Sequence, residues 1–232
     1  MNKRCLILLT TFVIFCGIRA QEKSEPLKFN FGAKAGFQAI AYNNPIFEIE
    51  GYEFDTNTLH SNKIGYTVAP FVRLARNRVY AQAECVFGIA RHSFDFKEIP
   101  TGEGSGIIPN QTTYNLRTLC LQVPIVVGYD IIHEKNYAMG IFTGPKTKFI
   151  FTSCSRQEFK HFKHEGLEEI LNDKCYYWEI GLGVKIGHVF FDFIYDWGIT
   201  KASKYIVSNS KETKFRSDRR DNIFSFSVGV IF

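Results

Sequence analysis

The stretch YYWEIGLGVKIG (residues 176–187) alternates between two kinds of side chain. One set is Tyr176, Trp178, Ile180, Leu182, Val184 and Ile186, and the set between them is Tyr177, Glu179, Gly181, Gly183, Lys185 and Gly187. A period of two places the two sets on opposite faces of a β-strand. The stretch therefore predicts a strand with one apolar face and one face rich in glycine and charge.

The same alternation recurs along the chain and predicts eight antiparallel strands in all. The other seven cover Phe29–Ala41, Lys63–Leu74, Val79–Phe94, Thr113–Tyr129, Tyr137–Phe151, Val189–Gly198 and Phe224–Phe232. A tilted strand needs roughly 9–11 residues to cross a bilayer. These strands are long enough to span a membrane.

The sizes of the side chains indicate which face is which. An eight-stranded barrel has an interior just wide enough for side chains to fill. Phe, Tyr and Trp make up 16% of the chain and dominate one face, so we expect that face to contact lipid. The alternative is a soluble, lipocalin-like barrel, which would hold its aromatic side chains inside. The pattern favours an all-β, eight-stranded antiparallel up-and-down transmembrane β-barrel.

The links between the predicted strands alternate in length. Short links lie at 75–78, 130–136 and 187–188, and long polar links lie at 43–62, 96–112, 152–174 and 199–220. Outer-membrane barrels have short periplasmic turns and longer extracellular loops. The alternation predicts this topology, with both ends of the barrel domain in the periplasm.

The N-terminal segment has the pattern of a secretory signal peptide. Lys3 and Arg4 precede the apolar run Cys5–Ile18, and Ala20 supplies the small residue at its end. We expect cleavage after Ala20, which divides the chain into a signal peptide (1–20) and an outer-membrane barrel domain (21–232).

Two alternatives for this segment are weaker. A transmembrane helix needs roughly 20 apolar residues, and this run is shorter. A lipoprotein would be lipidated at Cys16, but the bulky Phe15 precedes that cysteine. The formal charge of +5 falls by three when the basic residues of the leader are removed, so charge gives no reason to expect nucleic acid as a partner.

Several motifs resemble a known family. They are FGAKAGF (31–37), LQVP (121–124), the stretch 140–145, EIGLGV (179–184) and YDWGI (195–199). Together they resemble the PorT-like outer-membrane β-barrels, and the resemblance covers essentially the whole barrel domain. It implies residence in the cell outer membrane and permits a part in protein secretion.

The C-terminal Phe232, with apolar residues at alternate positions before it, is similar to the signal that barrel-assembly machinery recognises. We therefore expect outer-membrane lipid and that machinery as partners, with envelope or secretion components as further candidates. No cofactor is expected. The function hypotheses are a structural or interaction barrel, an accessory component of a secretion system, and a lipid-modifying barrel enzyme.

Charged residues on the predicted polar face form the most informative group. They are Lys34, Arg73, Glu84, Arg117, Glu179, Lys185, Asp192 and Asp196. An unpaired buried charge is costly, so we expect these side chains to pair within the lumen and to hold the barrel together. An ion path is disfavoured because eight strands leave little open channel.

Catalytic and metal sites are both disfavoured. His92 and Ser93 are adjacent, and adjacent strand residues point to opposite faces, so they do not form a hydrolase site by themselves. His161 and His164 share a helical spacing in the segment before Leu171, where we expect a short amphipathic helix (Glu165–Leu171). The interleaved Lys160 and Lys163 would repel a metal cation.

Four cysteines remain after the expected cleavage: Cys85, Cys120, Cys154 and Cys175. Counting by twos places Cys154 and Cys175 on the inner face of neighbouring strands, at the two ends of a long loop. Because the periplasm and cell surface are oxidising, we predict a Cys154–Cys175 disulfide. The alternative is that all four are free thiols.

Overall fold

The computed structural model describes residues 26–47, 52–54, 64–98, 111–158, 167–208 and 213–232. These residues form twelve strands: β1 (Lys28–Phe47), β2 (Tyr52–Phe54), β3 (Gly65–Arg76), β4 (Val79–Glu84), β5 (Val86–Glu98), β6 (Gln111–His133), β7 (Tyr137–Glu158), β8 (Leu167–Leu171), β9 (Lys174–Ile186), β10 (Val189–Gly198), β11 (Ser203–Ser208) and β12 (Thr213–Ile231). Among these residues the chain has no helix with the length and hydropathy needed to cross a bilayer.

The strands close into an antiparallel ring. Going round it, β12 pairs with β1, β1 with β3, β3 with both β4 and β5, and these two with β6; β7, β9 and β10 follow and lead back to β12. Strands β4 and β5 occupy one place in the wall, separated only by Cys85, whose amide nitrogen donates to Pro70 O at 3.1 Å. The predicted up-and-down barrel of eight wall positions is confirmed.

Two of the short links are two-residue turns. Asn77-Arg78 joins β3 to β4, and Gly187-His188 joins β9 to β10. Asn77 has φ 53° and Gly187 has φ 61°, in the left-handed region that tight hairpins require and that asparagine and glycine adopt most readily. We call this end of the barrel the turn end and the opposite end the loop end.

At the loop end the strands run further than the alternation predicted. Strand β7 reaches Glu158 rather than Phe151, and β12 begins at Thr213 rather than Phe224. The helix expected over Glu165–Leu171 is wrong for the part that is described. Leu167–Leu171 is strand β8, which pairs with β11, and β11 pairs in turn with the start of β12. Backbone pairing with β11 therefore overrides the helical spacing of the segment.

Two bulges alter the alternation along the wall. Leu119 lies opposite Thr152 and the next residue, Cys120, lies opposite Ile150, so Phe151 is an extra residue on β7. Ile131 is likewise an extra residue on β6. A bulge shifts every later residue of its strand by one position relative to the partner strand, so counting by twos fails beyond it.

The outer surface carries an apolar belt. Its exposed large side chains come from every wall position and include Phe31, Phe37, Tyr66, Phe87, Ile125, Ile141, Trp178, Ile180, Phe193, Trp197 and Phe224. Exposure of so many apolar side chains is expected only where the surrounding solvent is lipid. The belt agrees with the assignment of the apolar face to the outside.

Not all aromatic side chains are outside, and four of those inside follow a rule. Phe71, Tyr80, Phe142 and Phe190 are buried in the lumen. Each lies directly opposite a glycine of the neighbouring strand, the pairs being Phe71–Gly32, Tyr80–Gly128, Phe142–Gly181 and Phe190–Gly229. A Cβ on any of these glycines would overlap the facing ring. For these four rings the narrow lumen provides the space because the residue opposite on one neighbouring strand has no side chain. A fifth buried ring, Tyr177, lies between Lys146 and Gly198, and a Cβ on Gly198 would meet the Asp221 backbone instead of that ring.

The first prediction tests the outer belt. Leu182, on the belt, is 37% exposed. Replacing it by arginine should lower the free energy of unfolding in lipid vesicles by roughly 2–4 kcal/mol if it lies near the bilayer midplane. The matched control is Leu27→Arg, because Leu27 precedes β1 and lies outside the wall. Equal stability of the two variants would show that the belt does not face lipid.

The second prediction tests the pairing of rings with glycines. Gly181→Ala should cost about 1–3 kcal/mol of unfolding free energy, because the new methyl group would overlap the Phe142 ring. The control is Gly88→Ala, whose Cβ would find its nearest neighbours at 3.4 Å or more. Adding Phe142→Ala should relieve the clash, so the double-mutant cycle should show favourable coupling. Independent effects would contradict the steric account.

Candidate functional site

The lumen holds two clusters of buried ion pairs. In the first, Lys34 Nζ lies 2.8 Å from Glu84 Oε1 and 3.0 Å from Asp192 Oδ2. The Gln82 side-chain amide also donates to Glu84 Oε1, at 2.6 Å. These residues come from β1, β4 and β10, so the cluster ties together strands on different sides of the ring.

The second cluster lies toward the loop end and is centred on Lys146 of β7. Lys146 Nζ lies 2.8 and 2.7 Å from the two carboxylate oxygens of Asp196, and 2.6 Å from Glu179 Oε2. Glu179 and Asp196 are fully buried. Both clusters place lysines and carboxylates inside the same narrow lumen. Together they form one network, which we call the lumen network.

The structure brings five of the eight predicted lumen charges into this network: Lys34, Glu84, Glu179, Asp192 and Asp196. Sequence reasoning left Lys146 out of the predicted set. The signal for it was present, because Lys146 alternates with the outward residues of β7 and falls on the glycine-rich face.

Arg73 and Lys185 lie in the lumen nearer the turn end. The Arg73 guanidinium lies 4.1 Å from the centre of the Tyr80 ring, and its Nε donates to Gln82 Oε1 at 2.6 Å. Lys185 is partly buried and lines the same space. Here the lumen opens into a cavity of about 580 Å³, bounded by the turns that join the strands.

The prediction for Arg117 is wrong. Arg117 is exposed, whereas its neighbour Thr118 is buried inside the barrel. The reason is the alternation of β6 itself, since Thr118, Cys120 and Gln122 point inward and Arg117 is one residue out of phase with them.

One buried lysine differs from the others. Lys148 is 2% exposed and lies between Gln122 of β6 and Cys175 of β9 in the register. Within the described part of the chain it has no ion pair, while Lys34 and Lys146 each have two carboxylate partners. Lys148 lies beyond the Lys146 cluster, where an apolar group that includes Ile40, Cys175 and Ile223 is also buried.

The predicted Cys154–Cys175 disulfide is wrong. Cys175 lies opposite Lys148 on β7, and Cys154 lies further along the same strand, opposite Arg117 of β6. A strand rises about 3.3 Å per residue, so the two α-carbons are about 20 Å apart along β7, far beyond the limit of about 7 Å for a disulfide. The two cysteines are far apart because β7 continues to Glu158, whereas its pairing with β9 ends at Phe149. The bulge at Phe151 also shifts the parity of the residues between Lys148 and Cys154.

The remaining candidates for catalysis or metal binding fall in segments whose side chains the structure does not describe. His161, His164 and Glu165 are outside the described residues. His92 and Ser93 belong to β5, but their side chains are not among those described. In the described ranges, no group of three or more histidine, cysteine, aspartate or glutamate side chains is placed to hold a metal ion.

The arrangement of the lumen network determines what it can do. Lys34 joins strands on different sides of the ring, whereas Lys146 binds carboxylates of the next two strands of the ring. Phe71 and Phe190 pack edge to face beside the network with ring centres 5.3 Å apart. Eight strands enclose only enough room for such side chains. At this level the described side chains of the network and the two rings occupy the lumen.

The third prediction tests the network as a stabilising unit. Lys146→Met would leave Asp196 and Glu179 buried without their counter-charge, which should cost about 3–5 kcal/mol of unfolding free energy. The triple variant Lys146→Met, Glu179→Gln, Asp196→Asn should recover much of that loss, because it removes the uncompensated charges.

The matched control for this prediction is Lys204→Met, since Lys204 is exposed on β11. Urea unfolding in vesicles, read out by heat-modifiable gel mobility, compares the three proteins. If Lys146→Met were as stable as Lys204→Met, the ion pairs would contribute nothing and the lumen would have to be held together by packing alone.

Comparisons with known proteins agree with this architecture. The family model described as "Outer membrane protein beta-barrel domain" matches residues 19–204. A search of curated protein sequences finds no match. Among solved structures, OprG from Pseudomonas aeruginosa is similar with a TM-score of 0.54 and 10% identity, covering 88% of this chain and 95% of that one.

Two other solved structures are less similar. The attachment invasion locus protein Ail of Yersinia pestis has a TM-score of 0.40 and 12% identity, covering 88% of this chain and 99% of that one. The outer membrane protease OmpT from Escherichia coli has a TM-score of 0.45 and 9% identity, with coverage of 90% and 99%. The family match spans most of the chain, and the protein therefore belongs to the outer membrane protein beta-barrel domain family and resides in the outer membrane.

Proposed function

We propose that this protein is a closed outer-membrane barrel with a structural or interaction role, which acts through its two ends rather than through its lumen. The observation that carries the proposal is the lumen network. Lys34 of β1 bridges Glu84 of β4 and Asp192 of β10, each two wall positions away. Lys146 of β7 binds carboxylates of the next two strands of the ring, so buried ion pairs occupy space that an open channel would need for water. A filled lumen leaves the surfaces at the two ends as the parts available to partners.

The loop end supports this role. Strand β12 continues beyond the ring, where Arg216 lies opposite Tyr205 of β11, and β11 pairs in turn with β8. These three strands form a sheet that projects past the wall. A hydrogen-bonded sheet holds the loops that it connects more firmly than an unstructured link would. In the proposed topology this extension lies outside the cell and presents the long loops to it.

The turn end would then face the periplasm, with cleavage of the leader after Ala20. The turns there are tied to one another, since Asp130 N donates to Arg78 O at 2.7 Å and Gly187 N donates to Asn136 O at 2.7 Å. This rigid rim is suited to contact with an envelope component. The resemblance of the strand motifs to PorT-like barrels favours one alternative: an accessory component of an outer-membrane secretion system.

We further propose that the barrel is not an enzyme. The four carboxylates of the lumen network are held by lysines, so they are not available as bases for a substrate. The lipid-modifying alternative predicts altered outer-membrane lipids in cells that lack the gene. Mass spectrometry of lipids from deleted and complemented strains decides this point, because a lipid species lost on deletion and restored by the gene would contradict the proposal.

The fourth prediction concerns conductance. In planar bilayers the wild-type barrel should show no steady channel, because the lumen network blocks the axis. The triple variant without the charges of the Lys146 cluster should also remain closed, since its side chains have similar volume. Stable, voltage-independent conductance of the wild type would contradict the closed-barrel proposal.

A pair of photo-crosslinking positions separates the two interaction roles. A photoreactive residue at Lys204 samples the loop end, and one at Lys135 samples the turn end; both are exposed. Ile180, on the outer belt, serves as the lipid-facing control. Loss of secreted proteins on gene deletion, with crosslinks at Lys135 to secretion components, would favour the accessory role. Absence of specific crosslinks at both ends would contradict an interaction role.

A further inference from the structure

The face of the wall formed by β4, β5 and β6 shows where its apolar part ends. The outward residues of the first two strands are Val79, Ala81, Ala83, Cys85, Phe87 and Ile89, and those facing them on β6 are Leu119, Leu121, Val123, Ile125, Val127 and Tyr129. Every one of them is uncharged. The next outward position on both sides is an arginine, Arg91 on β5 and Arg117 on β6.

These two arginines are directly opposite one another in the register and are both exposed. Partners on one face of an antiparallel pair have Cβ atoms about 4.5–5.5 Å apart, and like charges at such positions repel. Within the described residues, neither arginine makes an ion pair or a hydrogen bond from its side chain. The arrangement is therefore unfavourable by itself and would be relieved by an anion held between the two guanidinium groups.

The position of Arg91 and Arg117 along the barrel axis shows which layer of the membrane would surround an anion bound between them. Val79 and Arg91 are twelve residues apart, as are Tyr129 and Arg117. At about 3.3 Å per residue and a tilt of about 40°, this separation is roughly 30 Å along the barrel axis. The apolar band of such barrels is about 25 Å tall. If Val79 marks one edge of the band, the arginine pair lies just beyond the other edge, at the level of the lipid headgroups.

We propose that Arg91 and Arg117 form a binding site for the phosphate of an anionic membrane lipid. Two guanidinium groups present planar forks of N–H donors that match phosphate oxygens, and such charge-assisted hydrogen bonds are short and strong. The acyl chains of the same lipid would lie along the apolar column below, beside Phe87 and Leu119. In the orientation proposed above, the site belongs to the outer leaflet, although the contact itself does not depend on the orientation.

Native mass spectrometry of the barrel from mixed micelles with equal phosphatidylglycerol and phosphatidylcholine tests the site. The wild type should retain phosphatidylglycerol in preference, and Arg91→Gln, Arg117→Gln should lower that preference about ten-fold, which corresponds to 1.4 kcal/mol. Lys204→Gln and Lys135→Gln are the controls, because they remove exposed positive charges elsewhere. A preference that is unchanged in the double variant, or lowered equally in the controls, would overturn the proposal.

The free energy of unfolding supplies a second test, because the effect of Arg117→Gln on it should have opposite signs without and with the anionic lipid. In neutral detergent, Arg117→Gln should stabilise the barrel, because it removes the repulsion from Arg91. With phosphatidylglycerol added, the same substitution should destabilise it relative to wild type, because the bridging phosphate loses a partner. Inorganic phosphate is tested in parallel. If it protects the wild type as well as the lipid does, the site takes free phosphate, and the assignment to lipid is overturned.

Discussion

The narrow interior of an eight-stranded ring is the constraint on which the rest of this structure depends. Closure of β1 on β12 satisfies the backbone groups that lipid cannot, but it fixes the diameter of the lumen. Within that diameter a large ring finds room opposite a glycine, as Phe142 does opposite Gly181, and a charge meets its counter-charge, as Lys146 meets Asp196. Each inward residue must therefore match its neighbours across the lumen in size and charge, whereas a residue of the lipid-facing belt needs only to be apolar.

The difference between the two faces explains what could be predicted. Alternation alone reveals the strands, the links and the inward position of residues such as Glu179, because these follow from a period of two. It does not reveal bulges, since an extra residue such as Phe151 carries no sequence signature of its own. The disulfide prediction failed because β7 runs past the start of β9, so the two ends of the loop do not face each other, and the bulge additionally shifts the parity. The error for Arg117 is of another kind, because the alternation of β6 already placed that residue on the outer face.

The inward aromatic side chains were missed for a related reason. Side-chain size suggests that rings lie outside, and this holds for most of them. The exceptions become predictable only when the register is known, because a ring such as Phe142 is permitted by a glycine on another strand, not by any neighbour in sequence. Strand β8 was missed similarly: its pairing with β11 is a long-range contact, and the local helical spacing contained no trace of it. What sequence could not supply is, in each case, the identity of the cross-strand neighbour.

The buried charges also bear on why one register is selected. Replacing a buried ion pair by apolar residues is often neutral or stabilising, so stability alone is a weak reason for keeping Lys146, Glu179 and Asp196 inside. In this barrel, however, a slip of β10 by one residue would turn Asp196 toward the membrane, where a carboxylate is expensive. Alternative pairings are thus penalised from both sides, through a charge in lipid and an unpaired lysine in the lumen. A uniformly apolar lumen would impose no such penalty, and the register would then depend on the turns and the ring–glycine pairs alone.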